Sequence, residues 1–510
     1  MQTEKEIMIK KQVISIAVAA AFAALLAVLW FAVFSPMIKD ASAVEDDTPE
    51  TLPGEEIGSK DRFYMYSHLD RADMASIEIA NESGSYVIEQ NGDGVFRVSG
   101  YEGVALDDTM IAKLVATCGS PLSKTRVAAS ASDEKLSEYG LKDPRASWTV
   151  TDKAGKKYKV YVGRELLTGG GYYCAFAGRD SVYVLDTSLA DTVLKPVEAF
   201  VTPYVIFGVS KDDYYTIDDF TVYRGHEKFI SVGKVDPKYQ NNPDALVENV
   251  LTYPAPYTPD SEVYLRIIMG FVSFTADETY RLGATEADLA ECGLDDPDYT
   301  VSFVYKGVKY YFIVSDAGDG NYYVASGIYG DIITKISKRN IQYLEYDLIK
   351  WISPYVFMRN ITTVSTLTVE SAAVNETFHL SHSTAENGKA VLQVAADSGR
   401  TFHTDSETLN FRHYYSDVIA LALVDYLPDE ASAGVPMSDF LADKNNLTMK
   451  ITCTTTGGDV YEFEIYRYST RRCAIRVNGR FDFCIQNDVV SRIESDTGKL
   501  LAGETVRGSN

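Results

Sequence analysis

Six histidines are the first residues in this chain that could do chemistry, because imidazole ligates metals and titrates near neutral pH. His379 and His382 stand three apart in what reads as a strand, so they point to opposite faces and cannot share one ion. His403 and His413 lie close in sequence without a cysteine or carboxylate at ligand spacing. Asp316 to Asn321, DAGDGN, sets oxygen ligands beside glycine but lacks the spacing and closing glutamate of a calcium loop. It reads as a hairpin turn. Ser231 and Lys234 form an S-x-x-K pattern with no partner motif of that hydrolase class. Neither a dinucleotide fingerprint nor a P-loop is present. The reading assigns no catalytic residue, cofactor or metal ligand, and expects a non-enzyme.

Two other residue types remain. Tyrosines number 35, and the pairs Tyr172-Tyr173, Tyr214-Tyr215, Tyr310-Tyr311 and Tyr322-Tyr323 put one ring inward and one outward if the backbone is extended. Tyr414-Tyr415 instead share a helix face. Outward rings suit a glycan or protein surface, and equally an ordinary solvated strand face. Cys473 and Cys484 flank an Asn478-Gly479 turn. A two-residue turn there pairs Val477 with Arg480, and counting outward sets Cys473 opposite Cys484. Directly opposed cysteines are within disulfide range. Two thiols packed as small hydrophobes are the alternative.

The elements that position these residues follow a repeat. SDEKLSEYGLKDP runs from Ser132 to Pro144 and TEADLAECGLDDP from Thr285 to Pro297, an offset of 153 residues. The same offset reaches Ser438 and SDFLADKNNLTMK. Ser132, Thr285 and Ser438 are suited to cap a short helix. Gly140 and Gly293 suit a left-handed exit, with Asn446 in that place in the third copy. Leu141, Leu294 and Leu447 follow as hydrophobic closures, and Pro144 and Pro297 stop the helix. Upstream, Ile111, Leu114, Val115 and Cys118 share a helix face, as do Tyr264, Ile267, Ile268 and Phe271, and Phe411, Tyr414, Tyr415 and Val418. Downstream, strictly alternating strand pairs predict half-buried antiparallel strands. The fold class is α+β: three repeated units, each an antiparallel sheet with helices packed on one face, behind an N-terminal transmembrane helix. The boundaries are a cytoplasmic tip and membrane helix over 1–35, an acidic flexible stalk over 36–60, and units over 61–208, 209–358 and a divergent 359–510.

Val13 to Phe34 is uncharged and long enough to cross a hydrocarbon core of about 30 Å. Lys5, Lys10 and Lys11 precede it and Asp40, Glu45, Asp46, Asp47 and Glu50 follow, which places the N-terminus in the cytoplasm and the bulk of the chain outside. A cleaved signal peptide is the rival, because Ala41-Ser42-Ala43 resembles a peptidase site. The net charge of −24 disfavours nucleic acid as a partner. Six cysteines in 510 residues make no disulfide scaffold.

The run YGLKDPRASWTVTDKAGKKYKVYVG…YYCAFAGRDSVYVLD resembles the bacterial family known as domain of unknown function 4340. Its G-L-x-x-P turn, strand pair, glycine and last hairpin correspond to Gly140, Leu141, Pro144, Gly163 and the segment from Tyr172 to Leu185. In the second unit Ser315 stands in the place of Gly163, and the third keeps only Leu447 and the strands. The resemblance implies a membrane-tethered extracytoplasmic protein, often associated with ABC-type export, and supplies no catalytic residues. The expected function is a membrane-anchored extracytoplasmic binding or scaffold protein, an accessory to an ABC-type envelope transport system. A wall-associated hydrolase or a glycan-binding accessory protein is the alternative.

Overall fold

The computed structural model describes residues 50–59, 62–234, 249–327, 330–385, 388, 390–432, 434–477 and 479–508. The predicted membrane helix over Val13 to Phe34 and most of the predicted stalk lie outside the described residues. No helix among the described residues is long and apolar enough to cross a membrane. The chain forms two compact units, one ending at Phe200 and one beginning at Val201.

The first sheet takes β1 Met74–Asn81, β2 Gly84–Gln90, β3 Phe96–Val98, β4 Thr125–Ala128, β5 Ala146–Asp152, β6 Lys157–Glu165, β7 Gly171–Phe176 and β8 Val182–Asp186. Their order across the sheet is β3-β2-β1-β5-β6-β7-β8-β4, and every neighbouring pair is antiparallel. The second sheet repeats that order with β9 Asp218–Arg224, β10 Glu227–Lys234, β11 Asn249–Tyr253, β12 Glu278–Leu282, β13 Tyr299–Tyr305, β14 Val308–Asp316, β15 Asn321–Ser326 and β16 Ile332–Ser337. The third repeats it again with one added edge strand. It comprises β17 Val364–Ser371, β18 Asn375–Thr384, β19 Ala390–Ala396, β20 Thr401–Phe402, β21 Leu423–Tyr426, β22 Leu447–Thr455, β23 Val460–Tyr466, β24 Arg472–Val477 and β25 Arg480–Gln486. A bulge recurs where the chain enters β1, β9 and β17, the local twist that a bulge imposes being part of the design.

Each long helix forms where its apolar stripe is. α1, Asp108–Gly119, starts at Asp107, whose carboxylate accepts from Thr109 N and Met110 N, and buries Ile111, Leu114, Val115 and Cys118 against Trp148 and Val160. The corresponding Ser261–Gly270 buries Tyr264, Ile267 and Ile268, and Asp405–Ile419 buries Phe411, Tyr414, Tyr415 and Val418. The second and third sheets share one continuous apolar core.

The short helices do not lie where the long ones do. α2, Asp133–Glu138, is capped by Ser132 and leaves through Gly140 at φ +72°, with Leu141 N donating to Leu136 O at 2.9 Å. Leu136 and Leu141 then pack on Ala175 and Val182, which project from the sheet face opposite α1. Helices therefore flank both faces, not one. Their few apolar side chains cannot reach the main core, and they close a separate small one. Glu286–Glu291 repeats this with a capping box between Thr285 and Asp288, Gly293 at φ +67°, and Leu294 against Ala325 and Ile333.

The third copy departs from this. Its helix is Met437–Ala442 behind Pro436, so Ser438 lies inside it, not at the cap. Asn446 is not left-handed: it ends a 3-10 turn, and its side-chain Nδ2 donates to Phe440 O at 2.8 Å. Leu447 opens β22 directly, opposite Tyr466. A side-chain amide replaces the backbone closure that glycine gives.

An extended lead-in segment precedes each sheet, a strand in the first two and isolated bridging in the third. Ser123 N donates to Phe63 O at 2.8 Å, Ala276 N to Pro203 O at 2.8 Å, and Leu423 N to Pro354 O at 2.6 Å. The end of the expected stalk belongs to this device, since Glu56–Ser59 pairs with Arg62–Tyr64.

The closing hairpin of the third repeat corrects one expected contact. Val477 does face Arg480, but a bulge follows, so Ile475 pairs with Phe483, Ala474 with Cys484 and Cys473 with Ile485. Asn478 lies outside the described residues. One residue of slip moves Cys484 to the face opposite Cys473, and both thiols are free and buried. The physical reason is Asp482. The expected register would set it opposite Ile475 on the apolar face, where an unpaired carboxylate is costly. With the bulge it meets Arg480 at 2.8 and 3.0 Å and Tyr257 OH, while Phe483 and Ile485 enter the core.

Two outcomes are expected. Burial pushes the Cys473 thiol up to about 12, Arg467 opposing and Cys484 adding slightly, so at pH 8 it stays protonated and resists alkylation in the native protein. Denaturation without reductant exposes all six cysteines to label, and a linked Cys473–Cys484 peptide in the digest contradicts the register. Separately, a Cβ at Gly163 would lie 2.2 Å from Tyr139 O. Gly163→Ala should cost about 1–3 kcal/mol in urea unfolding, and an unchanged midpoint would show that α2 is free to shift.

Candidate functional site

The sequence candidates do not converge. His379 Nε2 pairs with Asp397 at 2.8 Å on the outer face of its strand, whereas His382 Nε2 meets Val364 O at 2.9 Å on the other. His403 precedes a helix, with its backbone N donating to Glu407 at 3.2 Å, and His413 faces Val506 O. Asp316 and Asp319 hold Lys338 and Lys335 at 2.6 and 2.7 Å across their turn, and those lysines keep both carboxyls below the usual range. Ser231 shares a 2.8 Å hydrogen bond with Thr221. Among the described residues no three His, Cys, Asp or Glu side chains are grouped to hold a metal.

The tyrosine pairs divide by backbone. Tyr172 is buried and Tyr173 stacks on Tyr139 at 4.3 Å, while Tyr322 is buried with its hydroxyl on Glu345 and Tyr323 leans on Tyr280. Tyr214 and Tyr215 sit on a 3-10 turn, so the alternation does not apply to them.

The most connected surface feature is the outer face of the second sheet. Antiparallel register sets Tyr253, Ser231, Thr221, Ser302 and Tyr311 in one row across five strands. They stand on that face because their strand neighbours Ile230, Val232, Phe220, Val222, Val301, Phe303 and Phe312 occupy the core. The middle three are small hydroxyl residues recessed between larger neighbours. The two terminal rings are 42% and 45% exposed, enough to offer a ring face. Lys228 stands 5.8 Å from the Tyr253 ring, and Tyr311 lies over the backbone of Gly327. Strand spacing makes the row about 19 Å long. In the neighbouring row, Tyr223, Thr300, Ile313, Ala325 and Ile333, the last three pack with the short helix Glu286–Glu291. The helix thus covers one half of the face and leaves the tyrosine row open.

The other outer faces carry different chemistry. The first presents Glu78, Thr149 and Lys159 in register. The third has self-compensated charge: Lys450 meets Glu462 at 2.7 Å, and Glu464 lies between Lys444 and Arg476. Burial alone would raise the Glu464 carboxyl, but those two cations hold it below its usual range. A groove of about 620 Å³ in the third repeat is lined by Arg471, Asn487, Arg492, Asp496 and Lys499. Its charges are also matched, Arg492 by Asp417 at 3.1 Å and Lys499 by Asp496 at 2.7 Å.

Residues 103–251 match a family model described as a domain of unknown function (DUF4340). That span takes in α1 and strands β4 to β8 of the first sheet, and β9, β10 and the start of β11 in the second. No curated protein and no solved structure matches the chain.

The sequence signal for the row is the alternation within each strand, which marks Thr221, Ser302 and Tyr311 as outward. Their lateral alignment depends on register across four strand pairs, three of them with a register shift, and no local pattern encodes it. Because its rings stand on the wet face, the double variant Tyr253→Ala/Tyr311→Ala should change unfolding free energy by less than about 1 kcal/mol. Phe303→Ala, which removes a ring stacked 4.7 Å from Phe271, should cost about 3–5 kcal/mol. Equal losses in chemical denaturation would mean that the row is structural.

Proposed function

We propose that this protein is a non-enzymatic, membrane-anchored binding or scaffold protein whose repeats lie outside the cytoplasm. The reading is supported most by one observation: three sheets of a single strand order carry three chemically different outer faces. Each repeat spends one sheet face on its core and leaves the other to vary, which is the arrangement of a surface builder. The apolar run from Val13 to Phe34 and the acidic flank after it supply the anchor and its orientation. An envelope transport system of the ABC type is the partner class that the first repeat's resemblance implies.

A second reading has its own observation. The Tyr253–Tyr311 row offers rings at both ends of a hydroxyl-lined strip, which suits a neutral sugar polymer better than a charged partner. It makes the protein a glycan-binding accessory of the same envelope.

Crosslinking the intact protein in its native membrane, followed by identification of the captured chains, tests the scaffold. The expected result is one or a few envelope proteins linked to the repeats, and capture of nothing but itself at native expression counts against it. Protease added to wall-stripped cells should remove the chain beyond residue 62 and leave a short membrane-bound stub. Full protection would reverse the orientation.

A further inference from the structure

Among the described residues, the buried carboxylate at the start of the first repeat has no counterpart at the starts of the other two. The Glu55 side chain is fully buried. Its Oε2 accepts from Arg126 Nη1 at 2.7 Å and from Leu52 N at 2.7 Å, and its Oε1 accepts from Tyr183 OH. Arg126 stands on β4, the edge strand of the first sheet. It donates a second bond to Glu50 O at 2.8 Å and lies 4.4 Å from the centre of the Phe63 ring. Arg179, in the turn before β8, donates to Met65 O at 2.8 Å and passes so close under Gly54 that a Cβ there would lie 2.3 Å from its Nη2. Arg126 on the edge strand and Arg179 in a hairpin turn therefore hold this segment at Glu50, Glu55 and Met65.

The lead-in strand itself needs none of this. Pro203 and Pro354 make the equivalent of the Phe63 backbone bond, and the residues eight positions before them are Lys195 and Tyr346, where Glu55 stands eight before Phe63. The carboxylate occurs only in the repeat whose lead-in continues toward the N-terminal apolar run.

We propose that residues 50–59 form a clip on the tether, fastened by Glu55, that sets how far the first repeat can stand from a membrane. This rests on the anchor reading above. With the clip closed, fifteen residues, 35 to 49, separate the apolar run from Glu50, and no chain of that length spans more than about 50 Å. With it open, the count runs to Arg62 and the limit rises to about 90 Å. Release leaves the sheet intact, because the Phe63–Ser123 bond and the core residues Phe63, Met65 and Tyr66 stay in place.

Hydrogen exchange on the full chain in membranes tests the clip. In the unaltered protein the amides of residues 52–59 should be protected. Glu55→Ala should speed their exchange at least about tenfold, with peptides from β1, β2 and β5 unchanged. Arg126→Gln, which removes the partner and keeps the carboxylate, should do the same. Free-chain exchange of 52–59 in the unaltered protein overturns the clip. So does a loss of protection that spreads into the sheet, since the segment would then be a staple of the fold. Carbonate extraction of the same membranes reads the anchor separately. Release of an intact chain, clip still protected, overturns the anchor and the reach setting and leaves the clip standing.

Discussion

Antiparallel pairing with a two-residue side-chain period is the constraint on which this structure depends. Once Trp148, Phe303 or Ile451 is committed to a core, every strand neighbour is committed to the other face. Each sheet then needs its main cover on one side, which α1 and its counterparts supply with an apolar stripe, and in the first two sheets a short helix closes a smaller core on part of the other. The outer faces are free of that demand. Their differences, an acid and a lysine in the first, hydroxyls and tyrosines in the second, matched charges in the third, follow from identical backbone order and different side chains.

The repeat itself was readable because its signals are local. A cap, a glycine and a leucine within ten residues report a turn whatever the rest of the chain does, and the apolar stripes of Asp108–Gly119, Ser261–Gly270 and Asp405–Ile419 lie where their periods place them. The side of the sheet on which the short helix docks was not readable. Leu136 and Leu141 look like core residues in sequence, and only the positions of Ala175 and Val182 decide that they close a second, smaller core on the far face. The outer row escaped for a related reason. Tyr253 and Tyr311 are 58 positions apart, joined through three intervening strands whose register shifts help decide which residues line up.

The lead-in strand shows how one backbone device serves different ends. A single carbonyl at Phe63, Pro203 or Pro354 accepts from the loop that opens a sheet edge, and edges left bare invite pairing with other chains. Covering the edge with the chain's own preceding segment removes that hazard and orders the repeats in sequence. Only in the first repeat is the cover reinforced by a buried ion pair. Such a pair contributes less to stability than an apolar contact of the same size, because both charges must leave water. Its value lies in geometry: the planar guanidinium of Arg126 donates to the Glu55 carboxylate and to Glu50 O at once, which few arrangements of the chain allow, so it fixes where the chain departs.

The departures of the third repeat follow from its neighbour. In the first repeat β7 and β8 pair without interruption, Cys174 opposite Tyr183. In the third, β24 and β25 are bulged at the point where Tyr257 of the second repeat reaches across to Asp482 and sets its ring edge-on to Phe483 at 5.5 Å. Tyr426, on the adjoining edge strand, closes over the same Phe483 and accepts from Ile349 N of the second repeat. A regular hairpin would put Asp482 inside and Phe483 outside, losing both contacts at once. The bulge resolves the conflict between a turn that sets one register and a repeat contact that requires another. The sheet retains its order while the side chains change faces beyond the bulge, which is why two cysteines that count as partners along the chain lie on opposite sides of the sheet.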